Sequence, residues 1–156
     1  MAESFKTRWL RRAFNLFPAC RRTGGRITYI AADLREVRVR LPLDWRTRKY
    51  VGTLFGGSRY GAVDPIYMVM LIRLLGPEYV VRDRTATIRF RRPGRTTLYA
   101  TFEIGVAETD PIRAALRGAR AIDRVYSVDL VDDRGEVHAE VEKTLYTARQ
   151  DAARRP

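Results

Sequence analysis

Two hydrophobic periods alternate along this chain and divide it into elements. Between Val51 and Gly76, VGTLFGGSRYGAVDPIYMVMLIRLLG, apolar residues fall at Val63, Ile66, Tyr67, Met70, Leu71 and Leu74, the three- and four-residue spacing of one helical face. Met68, Val69, Ile72 and Leu75 fill most of the other faces, and Arg73 is the only charge from Pro65 to Leu75. A helix apolar all round is covered by the rest of its protein, and the run is shorter than the ~18 residues of a membrane span. The pattern therefore predicts a central helix with a sheet around it. Pro65 lacks an N–H and its ring presses on the Gly61 carbonyl. Either the helix shifts there, or one helix ends near Val63 and a second starts with Asp64 as N-cap and Pro65 as first residue.

Elsewhere the period is two. Arg26 to Ala31 is a short strand, and Val37, Val39, Leu41 and Leu43 alternate with Glu36, Arg38 and Arg40, one face buried and one wet. After Gly76-Pro77 stops the helix, Ala86, Ile88 and Phe90 alternate in one strand and Leu98, Ala100, Phe102, Ile104 and Val106 in the next. Arg92-Pro93-Gly94-Arg95 between them suits a type II turn, so the two are predicted to pair as a hairpin. Asp110 and Pro111 start a short helix that Gly118 ends. A last hairpin pairs Val125 to Val131 with Val137 to Thr147 around Asp132-Asp133-Arg134-Gly135. His138 falls on its polar side with Glu140 and Glu142, and reads as exposed. Two strands, a helix, two strands, a short helix and two strands make an α+β fold, one antiparallel sheet curved around one helix.

Ahead of this lies an amphipathic helix, Ser4 to Phe17, with Phe5, Trp9, Ala13 and Leu16 on one stripe and Lys6, Arg8, Arg11 and Arg12 largely elsewhere. Docking of the stripe on its own domain is the favoured expectation; contact with an anionic membrane is the other. Uninterrupted apolar residues of signal-peptide length are missing, so a cytoplasmic protein is expected, with an arginine-rich organelle presequence left open. The chain is the size of one domain, 1–156, with a helical extension at 1–25, a core at 26–149 and a tail at 150–156 that should fray.

Composition narrows the chemistry. The chain has 46% hydrophobic and 31% charged residues, one cysteine, Cys20, and one histidine, so it has no internal disulfide and a zinc site is not expected. No transmembrane segment is present in the pattern. The net charge of +12 points to an anionic partner, whether nucleic acid, a lipid surface or a phosphorylated cofactor such as coenzyme A, although an arginine-rich proteome produces the same surplus. No zinc-finger spacing, RNP motif or recognition helix marks a specific nucleic-acid binder. There is no G-x-S-x-G elbow for a serine hydrolase and no lysine-bearing phosphate loop.

Chemistry concentrates at the start of the central helix. Gly56 and Gly57 allow close approach, the first-turn N–H groups point outward, and Asp64 follows seven residues after Gly57 as an acid among apolar neighbours. The residues Gly52, Phe55, Gly56, Gly57 and Asp64, in the pattern G-x-x-F-G-G-x-x-x-x-x-x-D, resemble the central-helix motif of hotdog-fold acyl-CoA thioesterases of the phenylacetate-pathway type. DPIYM, RFRRPGR and the closing KTLY make the chain similar, from about Arg26 to Arg149, to an uncharacterised bacterial branch of that superfamily. Phe55 stands where the motif usually has histidine.

The resemblance implies a hotdog homodimer, often a tetramer, with strands paired edge to edge and the ligand channel between subunits. It implies that an acyl-CoA thioester is the substrate and that no further cofactor is needed. The N–H groups of Gly57 and Ser58 would hold the thioester oxygen, and Asp64 would act as general base or attack directly. Phe55, Gly56, Tyr60, Tyr67 and Met68 would line the acyl site, and Arg91, Arg92 and Arg95 would hold the coenzyme's phosphates. Two other readings stand beside it: a non-catalytic hotdog protein binding an acyl or acyl-CoA ligand, supported by Phe55, and a basic binder of anionic surfaces or nucleic acid, supported by the charge.

Overall fold

The alternating segments assemble into one sheet, and the apolar helix lies against its inner face. The computed structural model describes residues 2–153. In chain order they form α1 (Phe5–Leu16), α2 (Pro18–Arg22), β1 (Arg26–Ile30), β2 (Glu36–Leu41), α3 (Gly56–Val63), α4 (Ile66–Leu75), β3 (Tyr79–Phe90), β4 (Leu98–Glu103), a 3-10 turn (Val106–Glu108), α5 (Thr109–Gly118), β5 (Ala121–Val131), β6 (Val137–Arg149) and α6 (Gln150–Ala153). The six strands run antiparallel in the order β1-β2-β4-β5-β6-β3. Inward residues of β2, β4, β5 and β6, among them Leu41, Phe102, Leu130 and Val141, close over Val63, Tyr67, Met70 and Leu71 of the helical pair. Burial of this apolar surface is the main force holding helix to sheet.

The strand order corrects the expected hairpin. β3 and β4 follow one another in sequence, yet β3 pairs with β6 at the sheet edge while β4 lies between β2 and β5. The Arg92–Arg95 segment does not turn a hairpin, because its backbone groups are bonded elsewhere. Arg91 and Arg92 N–H both donate to the His138 carbonyl, at 2.9 and 3.2 Å, and the Gly94 carbonyl accepts from Leu54 N–H at 2.8 Å. Gly94 is required at this crossing, since a Cβ there would lie 2.8 Å from a Leu54 methyl. The β5–β6 hairpin forms, with β5 starting four residues before the expected Val125; it pairs from Ala121↔Ala148 to Leu130↔Ala139 and, past a register shift, at Val131↔Val137.

The central helix is two helices. Asp64 and Pro65 stay in the right-handed helical region (φ −51°, ψ −55° and φ −83°, ψ −9°), but Pro65 cannot donate to Gly61, and α3 gives way to α4 there. Asp64 is nevertheless not the N-cap of α4, whose first turn has no side-chain cap.

The N-terminal helix docks, but not by the expected stripe. Phe5, Trp9 and Leu16 are 84%, 66% and 69% exposed, while buried Thr7 and half-buried Leu10 and Phe14 face the domain. The orientation is set by polar groups. Asn15 accepts from Ile27 N–H and donates to the Ile27 carbonyl, both at 2.8 Å, and Glu3 accepts from Ile30 N–H at 3.0 Å. These side chains occupy the outer edge of β1. At the other end, fraying is predicted from Gln150, but Gln150–Ala153 is helical, with Gln150 N–H bonded to the Glu78 carbonyl at 2.9 Å. The rest of that expectation, at 154–156, lies outside the described residues.

Candidate active site

The first turn of α3 is where the backbone offers unfilled donors. Phe55 sits at the N-cap in an extended conformation, held by its N–H to the Thr47 carbonyl at 2.7 Å, and no side chain caps the N–H groups of Gly56, Gly57 and Ser58. Two half-exposed aromatic rings flank these amides. The Phe55 ring lies 2.4 Å from where a Gly57 Cβ would be, and the Phe90 ring 3.2 Å from where a Gly56 Cβ would be. Glycine at both positions lets the rings lie against the backbone. An oxygen arriving there meets helix N–H groups between apolar walls, where such bonds are stronger than in water.

Asp64 lies about two turns further on. Seven residues at ~100° each return within ~20° of the starting direction, about 10 Å along the axis, so Asp64 and Gly57 address the same side of the helix. Its carboxylate is held by one oxygen. Oδ1 accepts from the Tyr60 hydroxyl at 2.6 Å and from Lys143 Nζ at 2.6 Å; among the described residues no donor is bonded to Oδ2. The Asp64 side chain remains 39% exposed. Burial first, and then the bond to Asp64, pushes the Tyr60 hydroxyl above its ordinary value, which keeps it a neutral donor.

Lys143 is the residue that sequence reading missed. It projects inward from β6 in the parity of Ala139, Val141 and Leu145, is 1% exposed, and donates to the Asp64 carbonyl at 2.5 Å as well as to both Asp64 Oδ1 and Asp83 Oδ1, the latter at 2.7 Å. A cation among the apolar positions of an alternating strand is itself the signal, and it was present in the KTLY segment. Asp83, at a bulge of β3, carries no comparable mark, because the alternation becomes readable only after it.

Arg59 is the second missed residue. It is 5% exposed with no carboxylate partner; one guanidinium nitrogen donates to the Arg92 carbonyl at 3.0 Å, the group stacks 4.3 Å from the Phe90 ring centre, and Nε is unpaired. Burial lowers its pKa from the usual arginine value. Through Arg59 the Arg91–Arg95 segment is fastened beside α3.

The remaining predicted residues separate. Tyr67 is 5% exposed, stacks on Tyr126 at 4.9 Å and donates to the Ser127 carbonyl at 2.9 Å, and Met68 is half-buried against the core. Arg92 and Arg95 line an open groove of about 470 Å³ with Arg134 and His138, whereas Arg91 pairs with Glu140 at 2.7 Å and is not among the groove's lining residues. His138 is buried, not exposed as its parity suggests, because Pro93 folds over it: its ring nitrogens lie 3.1 Å from the Pro93 carbonyl and 3.1 Å from Asp132. The His138 contact holds the Asp132 carboxyl below the usual range. Asp132, Glu136 and His138 bring potential ligand atoms within 4.8 Å of one another, but Glu136 is paired with Arg92 at 2.9 Å and three arginines line the same groove, a field that suits anions. The apolar cavity between α1, β1, β2 and α4 has about 30 Å³, room for water and not for an acyl chain.

The profile of a family described as "Domain of unknown function (DUF4442)" matches residues 7–147. No curated protein matches the chain. Among solved structures, a Pseudomonas aeruginosa protein of unknown function described as "Probable Thioesterase" aligns with a TM-score of 0.82 at 17% identity, over 96% of this chain and 100% of that one. A Haemophilus influenzae thioesterase aligns with a TM-score of 0.69 at 17% identity, over 94% and 93%. A Chlorobaculum tepidum protein of unknown function gives 0.74 at 11% identity, over 93% and 95%. The shared architecture is the hotdog fold, an α+β fold with a curved antiparallel sheet.

Proposed function

We propose that this chain, which belongs to the family described as a domain of unknown function (DUF4442), hydrolyses an acyl-CoA thioester in a cleft completed by a second copy. The observation that carries this reading is Asp64: tied through Oδ1 to Lys143 and Tyr60, with no donor bonded to Oδ2 among the described residues, and on the same helical side as Gly57, whose amide, like that of Ser58, has no side-chain cap. Asp64 Oδ2 takes a proton from a water molecule as its oxygen attacks the thioester carbon. The charge that develops on the carbonyl oxygen is held by the Gly57 and Ser58 N–H groups. The carbon–sulfur bond then breaks, the coenzyme leaves as a thiol with the proton that Asp64 accepted, and the acid departs as product. Arg92 and Arg95 attract the coenzyme's phosphates, Arg95 being the one without an ion pair among the described residues. The acyl chain runs along Phe55, Phe90 and the edge of β3, where the second copy covers it.

A second reading, an acyl-binding protein without turnover, is favoured by Phe55, whose ring lies over Gly57 where the related motif has a polar side chain. One experiment separates the two. The purified protein and its Asp64→Asn variant are assayed on acyl-CoA thioesters from short aliphatic through aryl to long chain. Hydrolysis that falls about 1,000-fold or more in the variant, with folding retained, supports Asp64 as base. Binding of a thioester without hydrolysis by either protein supports the second reading and ends the first.

A further inference from the structure

We infer that the outward face of α1 seats the protein on an anionic lipid surface. At ~100° per residue, Phe5, Trp9, Arg12 and Leu16 share one side of the helix, opposite Thr7, Leu10 and Phe14, which fasten it to the domain. The helix is thus used on two sides. The docked side is complete, with Asn15 and Glu3 bonded to β1, yet Phe5, Trp9, Leu16 and Phe17 stay 84%, 66%, 69% and 59% exposed. Three large apolar groups on one face of a three-turn helix, with exposed Phe17 just beyond its end, are more than scattered exposure provides.

The charges around them decide the occupant. Residues 2–25 contain six basic side chains, Lys6, Arg8, Arg11, Arg12, Arg21 and Arg22, and one acidic, Glu3. Glu3 is already engaged, by Arg11 at 2.8 Å and by Ile30 N–H. A second copy docking here about a two-fold axis would set the exposed Arg8 and Arg12 against another such cluster. A nucleic acid would match the charge but offer no place for leucine and phenylalanine side chains. The headgroup region of an anionic bilayer takes both, rings and leucine among the acyl chains and arginines on the phosphates. A helix lying in the interface needs no spanning length, and no helix among the described residues is long and apolar enough to cross a membrane.

The test is co-sedimentation of the full-length protein with vesicles of phosphatidylglycerol and phosphatidylcholine, against vesicles of phosphatidylcholine alone. All the substituted side chains are exposed, so the variants should fold, and circular dichroism checks it. The wild type is expected to bind the mixed vesicles, less well as salt rises. Phe5→Ser with Trp9→Ser is expected to bind roughly 30-fold or more weakly, and Arg8→Gln with Arg12→Gln about 10-fold more weakly. Absence of binding to the mixed vesicles, or equal binding by the aromatic double variant, overturns the inference. So does a drop in the particle mass of that variant by light scattering without vesicle binding by either protein, which would make the face a contact between copies. Retention on an oligonucleotide in preference to vesicles, indifferent to the aromatic substitutions, overturns it as well.

Discussion

The side chain on which most of the candidate site depends is Lys143, a fully buried cation with three oxygen acceptors from Asp64 and Asp83. Removing one member of a buried ion pair costs about 3–5 kcal/mol because the other is left unpaired, but here both carboxylates are more than a third exposed and regain water. Lys143→Met should therefore cost about 2 kcal/mol, read as a lower urea midpoint, and reduce kcat about 100-fold as Asp64 loses its anchor, with KM moved less. An unchanged kcat would separate Lys143 from the chemistry. A second consequence concerns alkali. Burial, followed by bonds to Asp64 and Glu108, pushes the hydroxyls of Tyr60 and Tyr126 above the ordinary tyrosine value of 10.0. Their folded pKa values exceed the unfolded ones, so the associated stability is whole below about pH 10 and is lost as pH rises above it. The urea midpoint should hold from about pH 8 to 9.5 and fall beyond, less steeply in Tyr60→Phe; a midpoint that rises there contradicts the assignment.

At the scale of elements, Pro65 divides the central helix just after Asp64, and close contacts hold the end of α3 that carries it. Gly61 has no Cβ because one would lie 2.8 Å from a Thr23 methyl, and Gly25 has none because one would lie 2.7 Å from the Ala62 Cβ and 3.1 Å from its Cα. The Thr23–Gly25 segment thus presses on the end of α3, just before Asp64. Gly25→Ala meets backbone that cannot move aside, and a cost of about 2 kcal/mol, or roughly 4–8 °C in Tm, is expected in a thermal melt. Gly118→Ala, at a position with nothing within 4 Å of the added Cβ, serves as the control and should not lower Tm. The sequence made the strands, the break at Pro65 and the β5–β6 hairpin legible, because period and proline chemistry are local. Strand neighbours are not local, so Pro93-Gly94 suggested a hairpin where the chain crosses the sheet end instead. The face on which α1 docks was hidden for a related reason: the larger apolar stripe is visible in sequence, but the bonds from Asn15 and Glu3 to β1 choose the other side.

For the whole molecule, the decisive asymmetry is between the two edges of the sheet. The β1 edge is occupied, since Asn15 takes both backbone groups of Ile27 and Glu3 takes the N–H of Ile30. The β3 edge is open over 12 residues, of which only Val81 is buried. A long uncovered edge pairs with whatever strand is offered, and a second copy of the same edge, run antiparallel, satisfies both. That pairing would also bring a second subunit over Asp83, Phe90 and the amides of α3, where a single chain leaves the candidate site open. The expected particle mass in light scattering is twice the 18.0 kDa of the chain, or a multiple of that. Hydrogen exchange should find the outward amides of β3 protected at concentrations where the pair persists and exposed on dilution. The Ile27 and Ile30 amides, blocked from within the chain, should not change. A monomer with freely exchanging β3 amides would remove the second copy from the site, and with it the cover that the acyl chain needs; protection that survives every dilution would mean the two chains fold as one unit.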